Sequence, residues 1–468
     1  MVKCLICTKN LSSTSARFRH IREVHGPKVI CPYCFKFFGR LSGHLLTCIK
    51  YQMHNLSRLK IIKSQIYFIP EKSSSYKRRK YNYKIFKNIK NQNYKRLSKT
   101  KYYYFPDMKI NKGSYCDVYY GFDKSNSQEY AVKIFENASS DYEKYLLEVG
   151  ILKKLKNVIY FPSLFYSSNK NLIIVESLLG PNLRKLFKFC DNQFPIATIC
   201  YIGIEAITRL EQFHTLGMVH RDVKPSNFVW GNFSANNNDF KDNIFLIDYD
   251  LSGFYKKENG EHVEHSIEVD LIGNSFYKSK NSCDFIAQSR RDDIESLIYC
   301  LIYFYTGDLP WNKKNINEIY YRVNRNTLKR IKRKKDTKER LISKTEINLE
   351  MRRRIPIKLL CNELPTEFEM ILCYVRNLEF TELPNYDLIK DLFRRIINNN
   401  SIQSAEGECK YIWEKKLSDI LAKNKDNQVE ELERAKKELF AGYNINMKKF
   451  IKGLKKKEII CMNKILNS

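Results

Sequence analysis

The chain has no apolar run long enough to cross a bilayer. Its longest, Leu297 to Tyr305, is nine residues, against the roughly 20 that a membrane-spanning helix needs. The opening residues, MVKCLICTKN, lack the apolar stretch of a secretory leader. Acidic residues are scarce: 51 Asp and Glu stand against 82 Lys and Arg, a net charge of +31 over 468 residues. Such an excess favours polyanionic partners, whether nucleic acid, anionic surfaces or acidic proteins. An even scatter of cysteines is missing too. Five of the fourteen fall in the first 48 residues, and the others are single, several inside apolar runs such as SLIYCLIYFY. That excludes a disulfide framework and points to a reducing compartment, buried thiols and a metal site. The expectation is a soluble intracellular protein, nuclear or cytoplasmic.

The clustered cysteines have metal-ligand spacing. Cys4, Cys7, His20 and His25 form C-x2-C-x12-H-x4-H over residues 1–27. A tight turn supplies two thiolates and a helix supplies two imidazoles, which suits tetrahedral zinc. A module this small buries too little core to fold alone, so the metal supplies the folding free energy. The pattern resembles a two-Cys two-His zinc finger, with Leu11 and Arg17 where that family places apolar core residues. Over 28–50, Cys31, Cys34, His44 and Cys48 give C-x2-C-x9-H-x3-C, which resembles a shortened Cys-Cys-His-Cys finger. The resemblance puts Ser13, Ala16 and Arg19 toward a ligand, and of these Arg19 alone is a strong base reader. Nucleic acid and protein stay equally open as partners.

Residues 51–103 read as a basic, mostly disordered linker without helix or strand periodicity. Across 49–104 there are sixteen Lys and Arg and one acid, Glu71. The cluster Lys77–Lys80 fits nuclear import or a nucleic-acid contact, or a solvated arm.

From about Tyr104 the composition changes. Short β-like runs (MKINKGSYCDVYYGFD, EYAVKIFEN, NLIIVES) surround one helix-like stretch, and mostly helical patterns follow. The motifs come in order: YAVK with Lys133, LLEVGIL with Glu148, HRDVKPSN with Asp222, Lys224 and Asn227, and IDYD with Asp248. Together they resemble a protein kinase. HRDVKPSNFVWG, LLGPNLRKLFKFC, QSRRDDIESLIYCLIYFYTGDLPW and PIKLLCNELPTEF are similar to the casein kinase I family of Ser/Thr kinases, over roughly 104–398.

The resemblance implies an α+β, bilobal fold, with a small β-rich lobe and a larger helical one. It implies ATP and Mg2+ as cofactors and protein substrates. Lys133 would hold the α- and β-phosphates and pair with Glu148. Asp222 would accept the hydroxyl proton, Lys224 would neutralise the moving phosphoryl, and Asn227 and Asp248 would hold magnesium. Arg290, Asp292 and Asp293 would open a buried helix, with Asp293 bracing the catalytic loop. Val175 would be the residue at the back of the nucleotide pocket, leaving the following linker one residue long for the family. A basic insert falls at about 318–345.

Three departures stand out. The Gly-rich loop reads Asn111, Gly113 and Cys116, so Gly113 alone survives, and side chains at the outer positions are expected to crowd the loop or forbid a positive φ. Asp250 stands where the metal-binding motif has glycine. Phe276 stands where the family has an arginine that reads acidic or phosphorylated substrates, after the acidic segment ENGEHVEHSIEVD. The main expectation is an active Ser/Thr kinase targeted by zinc fingers and a basic arm. A pseudokinase adaptor and a nucleic-acid-binding zinc-finger protein are the alternatives. Residues 399–468 form a basic helical tail that docks on the kinase lobe, binds a partner or stays solvated.

Overall fold

The computed structural model describes residues 93–441, except 114, 127, 137–139, 232–242, 268–271, 313–351, 353–354, 400–409, 423–430, 433 and 436, together with four short N-terminal strands. The eight expected zinc ligands, the Lys77–Lys80 cluster and the basic insert lie outside the described residues. The chain divides into two units, Met1–Tyr83 and Lys84–Ser468.

In the first unit β1 (Val2–Lys3) pairs antiparallel with β2 (Asn10–Leu11), and β3 (Val29–Ile30) with β4 (Phe37–Phe38). Val2 faces Leu11 and Val29 faces Phe38. Each pair therefore brackets one Cys-x2-Cys sequence at the same spacing.

The second unit begins with a six-stranded antiparallel sheet. Its strands are β5 (Lys95–Arg96), β6 (Tyr102–Lys112), β7 (Cys116–Asp123), β8 (Glu129–Phe135), β9 (Leu164–Ser168) and β10 (Ile173–Ser177), in the order β5-β6-β7-β8-β10-β9. Lys95–Arg96 and Tyr102–Tyr103, read from sequence as the end of the linker, belong to this sheet. Leu97 is buried and β5 pairs with Tyr103 and Tyr104. A period-2 signal on a two-residue edge strand is too short to show in sequence.

The sheet is apolar on both faces, because side chains alternate along each strand. One face holds Leu97, Tyr102, Tyr130, Val132, Ile173 and Val175. The other carries Phe105, Tyr120, Phe122 and Ala131, and then Lys133. Between β8 and β9 runs α1 (Tyr142–Lys154), which turns Tyr145, Glu148, Val149 and Leu152 inward.

The helical lobe follows. Its helices are α2 (Leu183–Phe189), α3 (Ile196–Thr215), α4 (Lys280–Cys283), α5 (Arg290–Thr306), α6 (Ile357–Leu360), α7 (Thr366–Arg376), α8 (Tyr386–Asn399) and α9 (Ile412–Ala422). Helix α5 is capped where the Ser289 N–H donates to Asp292 Oδ2 at 2.8 Å, and it ends at Gly307 with φ 76°. Two short antiparallel strand pairs carry the loops: β11 (Met218–Val219) with β14 (Gly253–Phe254), and β12 (Phe228–Trp230) with β13 (Ile244–Leu246).

The tail docks. Tyr411, Trp413, Leu417 and Ile420 are buried, and Trp413 packs edge-on against Trp230 with ring centres 5.7 Å apart. Lys410 pairs with Glu205 on α3, and Lys416 with Asp191. Of the three fates open to the tail in sequence, residues 410–420 take docking on the helical lobe. All seven cysteines among the described residues are free thiols, five of them buried. No helix among the described residues is long and apolar enough to cross a membrane.

Candidate active site

The site is assembled from the sheet, from α1 and from two loops of the helical lobe. Lys133 lies on β8 opposite Ile174 and is almost wholly buried. Burial alone would lower its pKa. The carboxylates of Glu148 and Glu176 outweigh that and hold its pKa well above the ordinary lysine value. The Lys133 ammonium contacts Glu148 directly and lies 3.2 Å from Glu176. Burial pushes the Glu148 carboxyl up to about 7, with Glu176 and Asp248 adding to it against the pull of Lys133. The expected Lys133–Glu148 pair is formed, and a second carboxylate that sequence reasoning missed joins it.

That second carboxylate corrects the reading of Val175. Val175 faces Val132 on β8 and belongs to the apolar cluster on the far side of the sheet. Glu176 faces Ala131, so its side chain shares the face of Lys133. The position at the back of the pocket is therefore Glu176. Counted from Glu176, only Ser177, Leu178 and Leu179 precede Gly180, and the apparent extra residue disappears.

The catalytic loop hangs from α5. Asp293 accepts bonds from the main-chain N–H of His220 at 2.7 Å and of Arg221 at 2.8 Å. It also takes one from His214 Nε2 at 2.9 Å. Burial would raise the Asp293 carboxyl, but the bond from His214, with the His220 N–H, brings the net below its ordinary value. His214 is itself held low by burial. Its Nδ1 lies 2.7 Å from the Tyr386 hydroxyl. An ionised Asp293 only accepts, so Nε2 carries the proton and Nδ1 accepts from Tyr386. Asp293 is the brace that the resemblance implied.

Asp222, Lys224 and Asn227 converge. The Lys224 ammonium contacts Asp222 Oδ2. Asn227 donates its amide to the Asp222 carbonyl at 2.9 Å. Asp222 Oδ1 accepts from the Asn274 N–H at 2.8 Å. This last partner was not singled out in the sequence. Its neighbour Gly273 has φ 90°, and a Cβ there would collide with the Arg221 carbonyl. A glycine before a polar residue, far along the chain from the HRD motif, was the available signal.

Asp248 sits at φ 73°, in left-handed backbone, while Asp250 has an ordinary φ. Tyr249 is fully buried, stacks on Phe213 and donates its hydroxyl to Leu246 O. Asp250 does not simply point to solvent. It is half-buried, and burial, followed by Asp248, Glu148 and Asp222, pushes its carboxyl up to about 7. Lys224 faces all three aspartates: burial works against its charge, and Asp222, Asp248 and Asp250 raise its pKa. One ammonium among three carboxylates leaves a net negative pocket.

The Gly-rich loop is less damaged than its sequence suggests. Neither Asn111 nor Cys116 has a positive φ, so their side chains add no backbone strain. Gly113 donates its N–H to Cys116 O at 2.9 Å, and a Cβ there would come within 2.7 Å of the same oxygen. The surviving glycine is the one the turn requires. The Cys116 thiol is desolvated and pushed up by burial, with Lys133 opposing.

A family model, the protein kinase domain, matches residues 104–401, well over half of the chain.

The chain belongs to the protein kinase family.

In the protein kinase family a buried lysine holds the ATP phosphates, paired with a glutamate, and an aspartate of the catalytic loop accepts the hydroxyl proton. ATP and Mg2+ use follow from the domain. The donor set fits magnesium, because the net negative pocket lies around Asp248 and Asn227. Magnesium keeps several waters and takes one or two protein ligands plus substrate phosphates.

Proposed function

We propose that this kinase is a Ser/Thr protein kinase of casein kinase I type that transfers the ATP γ-phosphoryl to protein hydroxyls. The observation that carries the reading is the Asp222–Lys224–Asn227 constellation, closed by the Asn274 N–H. Asp222 is fixed at both oxygens and accepts the hydroxyl proton. Lys224, held on Asp222, is placed to neutralise charge on the moving group. Lys133 orients the α- and β-phosphates. Asn227 and Asp248 would hold Mg2+, which screens the phosphate charge when bound.

The substrate side supports a preference for neutral or basic sequences. Phe276 packs edge-on with Tyr277 and Tyr303, so an aromatic box stands where the family's arginine reads phosphate. Glu258, Glu261 and Glu264 are exposed on the preceding segment. Acid there repels an acidic peptide. Phosphoamino-acid analysis of a labelled peptide library tests both points. The reading expects phosphoserine and phosphothreonine without selection for upstream phosphate. Phosphotyrosine as the main product would contradict it.

Targeting is assigned to the N-terminal unit, with zinc on Cys4, Cys7, His20 and His25 and on Cys31, Cys34, His44 and Cys48. The two strand pairs around the Cys-x2-Cys sequences support this. The basic arm supplies affinity for nucleic acid or another polyanion and favours the nucleus. An adaptor without phosphotransfer is the second reading. The observation in its favour is Asp250, a half-buried carboxyl crowded beside Asp248 where the metal-binding motif has glycine.

A further inference from the structure

The Lys133 ammonium is shared by two buried carboxylates, and one carboxylate oxygen has no partner. Glu176 is 5% exposed. Its Oε1 faces Lys133 at 3.2 Å, whereas its Oε2 is buried and unbonded. A buried acceptor left unmade costs more than an average hydrogen bond gains. An unbonded carboxylate oxygen beside the Lys133 ammonium therefore calls for a donor from a ligand.

The surroundings say which part of the ligand. Lys133, with Asp222 and Asp248 beyond it, is the phosphate end. Ala131 is two residues back along β8, about 7 Å on an extended strand. Around Ala131 the cleft face is apolar: Ile110, Val118 and Leu178 pack in the same cluster. A flat purine suits such a surface, and a triphosphate does not. Glu176 lies opposite Ala131 and one residue before the linker, so its carboxylate stands at the edge of the base.

We infer that Glu176 selects the purine, accepting a hydrogen bond from the exocyclic amine of adenine at Oε2 and repelling a 6-oxo purine. Adenine presents a donor at that edge, and hypoxanthine and guanine present a carbonyl oxygen. A carboxylate accepts from the first and faces a like dipole in the second. The inference rests on the kinase reading of the site.

The test is equilibrium binding of ADP and IDP, with Mg2+, to the full chain. The diphosphates differ at the base edge and undergo no transfer. The wild type is expected to prefer ADP by about 10- to 100-fold, the worth of a bond to a charged acceptor. Glu176→Gln can turn a donor toward either base, and Glu176→Met offers neither donor nor acceptor. In both variants the ADP preference is expected to fall about tenfold or more while ADP still binds. An equal ADP and IDP affinity in the wild type overturns the inference, as does an unchanged preference in both variants; either result leaves the kinase reading standing. Binding of neither nucleotide by the wild type overturns both.

Discussion

Asp293 carries the clearest consequence at the scale of single residues. Three donors converge on its buried carboxylate, and two of them are main-chain groups of the catalytic loop. Replacing it with Ala orphans those donors and is expected to lower stability by about 3–5 kcal/mol, measured by denaturant unfolding. The sign with pH is fixed by the direction of the shift. The folded carboxyl titrates below its ordinary value, so its contribution is present above that value and is lost as pH falls through the lower one. The gap between wild type and Asp293→Ala should therefore hold at neutral pH and narrow in acid. A gap that widens in acid would refute the brace. Gly273→Ala tests the neighbouring contact. The φ of 90° and the collision with Arg221 O predict a loss of about 1–3 kcal/mol, and a drop in transfer rate exceeding any loss of nucleotide affinity. Asp293 was legible in the sequence because a motif named it. Glu176, Gly273 and Asn274 were not. Their roles depend on strand register and on a contact between segments about fifty residues apart, and neither leaves a local pattern.

At the scale of elements, α8 and α9 buttress the catalytic loop from outside it. Tyr386 at the start of α8 fixes the His214 tautomer that holds Asp293. Trp413 of α9 packs on Trp230, three residues beyond Asn227. Trp413→Ala should cost about 3–5 kcal/mol, as for other large-to-small changes in a core, and removal of the segment from Lys410 onward should cost more. Thermal unfolding of the two proteins checks this. A tail that can be removed with no change in melting temperature would mean that α9 is not part of the core. The lobes, their order and the helix of Asp293 were readable because charged motifs punctuate a long periodic pattern. The docking of the tail was not. An amphipathic helix declares an apolar face and leaves its partner unnamed. The Gly-rich loop was misjudged for a related reason. A missing glycine forbids the backbone only where φ is positive, which neither Asn111 nor Cys116 has, and at Gly113 a Cβ would meet the Cys116 carbonyl.

For the whole molecule, a kinase domain follows an N-terminal unit proposed to carry zinc. Metal analysis of the purified chain is expected to find two zinc ions, and replacing Cys4 and Cys31 should remove both. Phosphotransfer to a peptide should survive that change, because every group assigned to transfer lies beyond residue 110. A chain with no bound zinc would sink the N-terminal assignment and leave the kinase intact. The net charge of +31 further predicts that any association with nucleic acid weakens steeply with salt.

The central claim is that Asp222 serves a working transfer site. Its most direct test is transfer of labelled phosphate from ATP to casein and to a basic protein, comparing the wild type with Asp222→Asn. ADP binding confirms that both chains are folded. The account predicts transfer by the wild type and a loss of about 10²- to 10⁴-fold in the variant with ADP affinity retained. Equal signals from the two proteins, or none from the wild type while it binds ADP, would contradict it.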